Sequence, residues 1–298
     1  MTIMHNISII LILAFLFGCS SRQPKSSDDH SGERKISFTD SLRIENIRIS
    51  DPSQYQFMLD TLDKGDFLSL RVAARAYKNC VVDSLTCDSL FTIYIDFIRN
   101  VADGFLENNA DISNALSNSP SAQVVSPLKA KLASSGIELI PSGATYALVA
   151  NSGYLLNAFA DALSTSYREF LLLEARDMTN DISVGSMVNV PSDSLISRIL
   201  GWENFIRLHP TFSAIGVAQE LYAQSMGNFL VGTHHAGVFD RDSYLLNDSI
   251  KRSFETFIQR NEGSGSAEVV KDYLQLLEST GYTYTDKVDS FLLGRVYR

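Results

Sequence analysis

The sequence is poor in several features that usually help to assign a protein. Its 298 residues include three cysteines and one tryptophan, and three cysteines are too few for a disulfide-rich scaffold. Basic residues are in the minority, with 25 Lys and Arg against 34 Asp and Glu and a formal net charge of −9. Because nucleic-acid binding requires a basic face, we expect no nucleic-acid partner. The hydrophobic fraction of 45% suits a globular protein.

The sequence also lacks an apolar run long enough to span a membrane. The clearest apolar run, residues 7–18 (ISIILILAFLFG), has twelve residues and no charge, whereas a spanning helix needs about 20. Its length and its place at the start of the chain are typical of the apolar region of a secretory signal. We therefore predict that residues 1–18 form a signal peptide.

The residues around the first cysteine resemble the lipobox of bacterial lipoproteins. Leu16-Phe17-Gly18-Cys19 follows the order of apolar, variable and small residue before the cysteine. In that family a peptidase cuts before the cysteine, whose thiol carries a diacylglycerol, so the resemblance implies lipid attachment at Cys19. Ser20 stands where Asp would imply inner-membrane retention. The resemblance thus implies a lipid-anchored protein of the cell envelope, at the outer membrane rather than the inner one. A plain secretory signal is the alternative.

Residues 19–36 are expected to form a flexible tether. The stretch 20–35 contains no aliphatic residue and no Phe, Tyr or Trp, so it has nothing to bury in a core. The folded part of the chain therefore corresponds to residues 37–298.

Residues 37–298 predict an all-α domain. Between Asp88 and Glu107 apolar side chains recur every three or four residues, which places them on one helix face, and Asp88 is suited to cap the start of that helix. We expect antiparallel helical hairpins packed as a bundle or a short α-solenoid. Further helices are predicted at 152–178, 194–208, 211–231, 243–261, 266–279 and 286–296.

Two segments depart from this helical pattern. Residues 108–127 are rich in Asn and Ser and predict a long loop. Residues 136–150 alternate around a Pro-Ser-Gly turn and indicate at most one minor β-hairpin, although part of this stretch, 144–156, also suits a helix. If the domain divides into two subdomains, we expect the break near 108–127 or 180–192.

A weak internal repeat occurs in the C-terminal third of the chain. Residues 202–206 (WENFI) align with 254–258 (FETFI) at an offset of 52, and both lead through a helix breaker into a second amphipathic stretch. Over roughly 195–280 this pattern resembles the helical pairs of tetratricopeptide-type lipoproteins. The resemblance implies stacked pairs with a concave surface for another protein. The alternative is two unrelated hairpins whose aromatic side chains fill a core.

The common catalytic and nucleotide-binding motifs are absent. There is no P-loop, GxGxxG, HExxH, GxSxG or CxxC, so we expect no cofactor. Whether the protein is an enzyme stays open, with a binding role favoured. The candidate metal ligands are His234, His235 and Asp240, because imidazoles near a carboxylate suit Zn²⁺. The alternative for this group is a polar loop that closes a helix.

A group of carboxyl side chains lies near the end of one predicted helix. Paired carboxylates serve glycoside hydrolysis, but their spacing in this sequence identifies no catalytic pair. We expect the group to form a solvated acidic face. Its members are Glu169, Glu174, Asp177 and Asp181.

The remaining two cysteines, Cys80 and Cys87, are candidates for a disulfide in an oxidising compartment. On one continuous helix their Cα atoms would lie about 10.5 Å apart, whereas a bridge needs about 7 Å or less. The bridge therefore requires a helix break between them, for which Asn79 and Asp83 are suited. The alternative is two buried thiols.

Asp-Ser or Asp-Thr followed by an aliphatic residue recurs along the chain, for example at Asp40-Ser41-Leu42. The pattern is similar to the O-glycosylation sequon of some Gram-negative envelope proteins. That resemblance implies modification of an exposed copy, with Ser41 the first candidate. Helix capping is the alternative explanation, since Asp and Ser are preferred at helix N-termini.

Together these patterns favour a lipid-anchored cell-envelope protein that acts as a binding or scaffold module for another envelope protein or ligand. Its contact with the membrane would be the lipid on Cys19. The alternative is an envelope hydrolase that acts on glycan or peptidoglycan through a site without a recognisable motif.

Overall fold

The computed structural model describes residues 49–80, 83–117, 122–142, 145–179, 193–233 and 236–297, all within one unit of the chain. These ranges contain twelve α-helices and two short antiparallel ladders, which confirms the predicted all-α class. The elements are α1 (Pro52–Asp60), α2 (Leu68–Lys78), α3 (Ser84–Asn108), α4 (Ala110–Ser117), α5 (Ala122–Ala133), β1 (Ile137–Ser142), β2 (Thr145–Ala150), α6 (Ser152–Phe159), α7 (Thr165–Thr179), α8 (Asp193–Leu208), α9 (Ile215–Val231), β3 (Gly232–Thr233), β4 (Ala236–Gly237), α10 (Asp248–Arg260), α11 (Gly265–Ser279) and α12 (Asp286–Phe291).

The predicted hairpin near 136–150 is confirmed as β1 and β2, which pair antiparallel with Ile137 opposite Ala150. Ile137 and Leu139 are buried on the same face, as the two-residue period of a strand requires. β1 packs on α5, and β2 packs on α3 and α4. The hairpin therefore covers part of the first helical core. The shorter β3–β4 ladder lies outside the predicted stretch.

The first hydrophobic core surrounds α3, the helix predicted from the periodicity of residues 88–107. Its buried side chains come from one face, and they meet aromatic rings of α2, α6 and α7. The rings of Phe91 and Tyr167, for example, are edge to face with centroids 4.9 Å apart. Such pairs add roughly 0.5–1.5 kcal/mol to the effect of burial. The buried α3 residues include Leu90, Phe91, Tyr94, Ile98, Val101, Ala102 and Phe105.

Asp88 does not cap α3, contrary to the prediction. The helix begins four residues earlier, at Ser84, and Asp83 is the residue whose Oδ1 accepts the backbone N–H of Thr86 at 3.0 Å. Asp88 is buried inside the helix, where its carboxylate accepts the backbone N–H of Ser164 at 3.1 Å. A side chain from α3 thus provides the hydrogen-bond acceptor for a backbone N–H group just before α7 begins.

The long loop predicted for 108–127 is wrong, because the described part of this stretch is helical. α4 and α5 occupy most of it, and Pro127 lies inside α5. Leu116 and Leu128 are buried against the first core. Burial of these apolar side chains outweighs the weak helix propensity of the Asn and Ser residues.

The second hydrophobic core lies between α8 and the C-terminal helices. α8 contributes Leu195 and Ile199 to this core, and it contributes Trp202 and Phe205 to the first core. One helix therefore belongs to both. α8 packs along α9 and α10 packs along α11, which gives the helical hairpins that the sequence predicts.

The ends of these hairpins follow the repeat seen in the sequence. α8 ends at Leu208 and α10 at Arg260, the same offset of 52 that aligns the two motifs. Trp202 and Phe254, which are aligned by the repeat, are both fully buried. A true repeat and two unrelated hairpins would each bury these rings. The tetratricopeptide resemblance therefore stays a prediction.

Candidate functional site

The exposed face of α2 carries three positive charges. Leu70, Ala73, Ala76 and Tyr77 are buried in the first core, and the charged residues between and after them are exposed. Arg71, Arg75 and Lys78 fall on that outer face at steps of four and three residues, which makes them neighbours along the helix.

These residues form one wall of an open groove of about 370 Å³, which we call the basic groove. Ser134 and Ser135, in the turn between α5 and β1, line the same groove together with Tyr154 of α6. The volume lies within the range of about 300–1,000 Å³ found for small-molecule sites. Of the described residues that line it, none is acidic. They are Leu70, Arg71, Ala74, Arg75, Lys78, Asn79, Tyr94, Ser134, Ser135 and Tyr154.

The position of Tyr154 depends on the turn that precedes the hairpin. Gly136 has φ +74°, and a Cβ at this position would lie 2.6 Å from the Tyr154 ring. The glycine therefore permits both the left-handed turn and the close approach of the ring. Asn151 links the turn at Gly136 to the start of α6. Its backbone N–H donates to the Gly136 carbonyl at 2.8 Å, and its Oδ1 accepts the Tyr154 N–H at 2.7 Å.

The cations of the basic groove differ in their surroundings. The Arg71 side chain makes no ion pair or hydrogen bond with the described part of the chain. The Lys78 Nζ lies 5.0 Å from the centroid of the buried Phe159 ring, a cation–π contact. Arg75 and Lys78 occupy the last turn of α2, where the helix dipole favours positive charge. The helix therefore presents positive charge to the groove, with Arg71 available for an anion.

The predicted acidic face is wrong for two of its four members. Asp177 is ion-paired with Arg198 at 3.1 Å and accepts the Trp202 indole N–H at 2.7 Å, so it joins α7 to α8. Glu174 accepts the Ser152 hydroxyl at 2.9 Å, and burial raises its pKa to about 7. Of the three described members, only Glu169 is exposed. Its Oε2 lies 2.7 Å from Nε2 of His209. The fourth member lies outside the described residues.

Neither buried carboxyl belongs to the basic groove. Glu174 and Asp177 lie on α7, and their hydrogen bonds run to α6 and α8. These contacts hold the helices together. The sequence could not indicate this, because the spacing that places carboxyls on one helix does not show which neighbours cover that helix.

Cys80 and Cys87 flank the break between α2 and α3 that a disulfide requires. Both side chains are partly buried thiols in the structure. Burial, with a smaller contribution from Cys87, raises the pKa of Cys80 to about 11, and burial also raises the pKa of Cys87. Thiols with raised pKa values are poor nucleophiles at neutral pH. The disulfide stays a prediction, and its formation would depend on an oxidant of the envelope.

The structure describes one of the three predicted metal ligands, Asp240. His234 and His235 lie outside the described residues. The exposed Asp240 carboxylate accepts the backbone N–H of Ser243 at 2.8 Å and of Asp242 at 3.1 Å, and these bonds lower its pKa. Where the structure describes the chain, no three His, Cys, Asp or Glu side chains are grouped as a metal site.

Comparisons with known proteins identify no relative. No family model, curated protein or solved structure matches this chain. The function therefore has to be argued from the site itself.

The sequence analysis missed the basic groove. Its signal was the phrase RVAARAYK at 71–78, which carries three cations and no acid in a chain of net charge −9. Cys19 and Ser41, the lipid and glycan attachment candidates, lie outside the described residues. Among those described, no helix combines the length and the apolar character needed to cross a bilayer.

Proposed function

We propose that this chain is a lipid-anchored binding module of the cell envelope and that its basic groove receives an anionic ligand or an anionic segment of a partner. The observation that carries the proposal is the set of three cations on one wall of a groove whose described lining is free of acids. The charge of this groove is opposite in sign to that of the chain as a whole, which has nine more acidic than basic residues.

The chemistry of arginine supports an anionic ligand. A guanidinium presents a planar fork of donors that can bind both oxygens of a carboxylate or phosphate. Hydrogen bonds to charged groups contribute about 1.5–3 kcal/mol each when partly sheltered, against roughly 0–1 kcal/mol for exposed ion pairs. Arg71 lines the groove, so a ligand seated there can form such bonds with its guanidinium.

The anchor proposal rests on the lipobox resemblance at Cys19. Each buried methylene contributes about 0.8 kcal/mol to membrane binding, so two acyl chains hold a protein stably on a bilayer. Growth with labelled palmitate is expected to label the protein, and Cys19→Ala is expected to abolish both the label and membrane attachment. An unlabelled protein, or a Cys19→Ala form that stays on the membrane, would contradict the anchor.

The binding role is tested by crosslinking in intact cells. A photoreactive amino acid replaces Ala74, which lines the basic groove. We expect a reproducible crosslinked product that Arg71→Glu removes. The matched control is Arg241→Glu, which makes the same charge change at an exposed loop residue outside the groove.

Two results would contradict the binding role. One is a product that Arg71→Glu and Arg241→Glu affect equally, because the groove charge would then be irrelevant. The other is turnover of a captured glycan or peptide by the purified protein, which would favour the alternative of an envelope hydrolase.

A further inference from the structure

We infer that the ligand of the basic groove is an acidic oligosaccharide, that is, a short chain of sugar rings that carry carboxylate or phosphate groups. The inference rests on the proposed binding role of the groove and adds the ligand class. Three features of the groove carry it: the spacing of the cations, one exposed aromatic ring, and the polar groups at the rim.

The spacing of the cations suits a ligand with more than one negative group. Arg71 and Lys78 are seven residues apart on α2, which corresponds to about 10.5 Å along the helix axis. Arg75 lies between them on the same face. One carboxylate cannot reach both ends of this row. An extended ligand with anionic groups on successive units can do so.

The exposed ring of Tyr154 suits a sugar. Its side chain remains 40% exposed, although Gly136 packs against the ring and Asn151 fixes the backbone below it. A ring fixed in this way offers a flat apolar face at a low cost in side-chain entropy. The C–H faces of a sugar ring stack on such a surface. An aspartate or glutamate side chain has no comparable face to offer.

Polar groups complete the lining. The Ser134 hydroxyl donates to the Lys131 carbonyl at 2.9 Å and so keeps its oxygen lone pairs for a ligand donor. Asn79 adds an amide to the lining. Sugar hydroxyls both donate and accept, so they suit a neutral polar lining of this kind. Cations, a ring and neutral polar groups together favour a charged saccharide over an acidic peptide.

The test uses the full lipidated chain in detergent and measures dissociation constants by calorimetry. The probes are trigalacturonate, its neutral methyl ester, glucose 1-phosphate and a tri-aspartate peptide. We expect trigalacturonate to bind about tenfold or more tightly than the methyl ester and the peptide. Glucose 1-phosphate, a single sugar with one anionic group, is expected to bind more weakly than trigalacturonate because it cannot span the row of cations. These comparisons require no variant to fold.

Variants then assign the contacts. Arg71→Ala is expected to weaken trigalacturonate about tenfold, and Arg241→Ala is the matched control outside the groove. Tyr154→Ala is expected to weaken trigalacturonate about tenfold and to leave tri-aspartate unchanged. Its control is Tyr244→Ala, since Tyr244 is similarly exposed, at 44%, and does not line the groove.

The outcomes separate this inference from the proposed function. Equal affinity for tri-aspartate and trigalacturonate, or no effect of Tyr154→Ala on the sugar, would overturn the saccharide class and leave a groove that binds anions by charge. Absence of binding to all four probes, while the groove crosslink still depends on Arg71, would also overturn the saccharide class. Loss of that crosslink dependence would overturn the proposed function itself.

Discussion

Replacing Glu174 with glutamine should change stability in a pH-dependent way. The stability of the variant relative to the native chain should increase as the pH rises from acidic to alkaline values. Burial raises the pKa of this carboxyl from 4.5 to about 7, and only part of that effect is offset by the hydrogen bond from Ser152 and by the charge of Arg99. The folded protein therefore holds a proton that the unfolded chain releases near pH 4.5. Glutamine keeps an oxygen acceptor for Ser152 and removes the titration.

The sign and size of the effect follow from linkage. A carboxyl with a raised folded-state pKa costs stability as pH rises from the unfolded value, and the cost is complete above the folded value. The rise from 4.5 to about 7, at about 1.4 kcal/mol per pKa unit, corresponds to about 3 kcal/mol. Most of this appears between pH 5 and pH 8. Over that interval the stability of Glu174→Gln should improve by about 2.5 kcal/mol relative to the native protein.

The assay is urea denaturation followed by tryptophan fluorescence. Trp202 is the single tryptophan, is fully buried, and bonds to Asp177, one turn along α7 from Glu174. It therefore reports on the region of the substitution. Glu220→Gln is the control, because Glu220 is an exposed carboxyl on α9. A stability difference for Glu174→Gln that does not change between pH 5 and pH 8 would refute the reasoning.

Three further predictions concern other contacts. Asp177→Ala leaves the largely covered Arg198 guanidinium and the tryptophan N–H without their acceptor, so denaturation should show a loss of about 3 kcal/mol; a loss below about 1 kcal/mol would contradict it. Gly136→Ala should lower the free energy of unfolding by about 1 kcal/mol more than Gly281→Ala, because both have positive φ but only Gly136 faces a ring. Alkylation of denatured, envelope-derived protein without reductant, read by mass spectrometry, should leave Cys80 and Cys87 unmodified; labelling of both would contradict the disulfide.

The sequence predicts the helices of this fold better than their ends. Predicted helices at 194–208 and 266–279 correspond to α8 and α11 within one residue, because their apolar positions follow the helical period closely. The predicted helix at 152–178 is instead divided into α6 and α7. The division lies where Asp88, 76 residues away in sequence, accepts the N–H of Ser164. No local pattern contains that contact.

The partners of charged groups are equally hard to predict from local spacing. Glu203 illustrates the point, since it accepts the backbone N–H groups of Gly265 and Ser266 at 2.6 and 3.3 Å and so caps α11 from α8. The sequence shows only an acid on a predicted helix. Its partner is a helix start 62 residues later, and only the packing of the second core brings the two together.

The basic groove was missed for the same reason, and this bears on its function. Three cations on a helix ordinarily indicate a solvated face, and α2 alone would be such a face. The groove exists because the turn at Ser134 and the ring of Tyr154 line it together with α2, and Gly136, whose φ is positive, lets that ring pack against the turn. One segment supplies the charge, and another, about 60 residues away in sequence, supplies the shape. Neither segment forms the site alone. A substitution at Gly136 should therefore weaken ligand binding although it removes no group that touches the ligand.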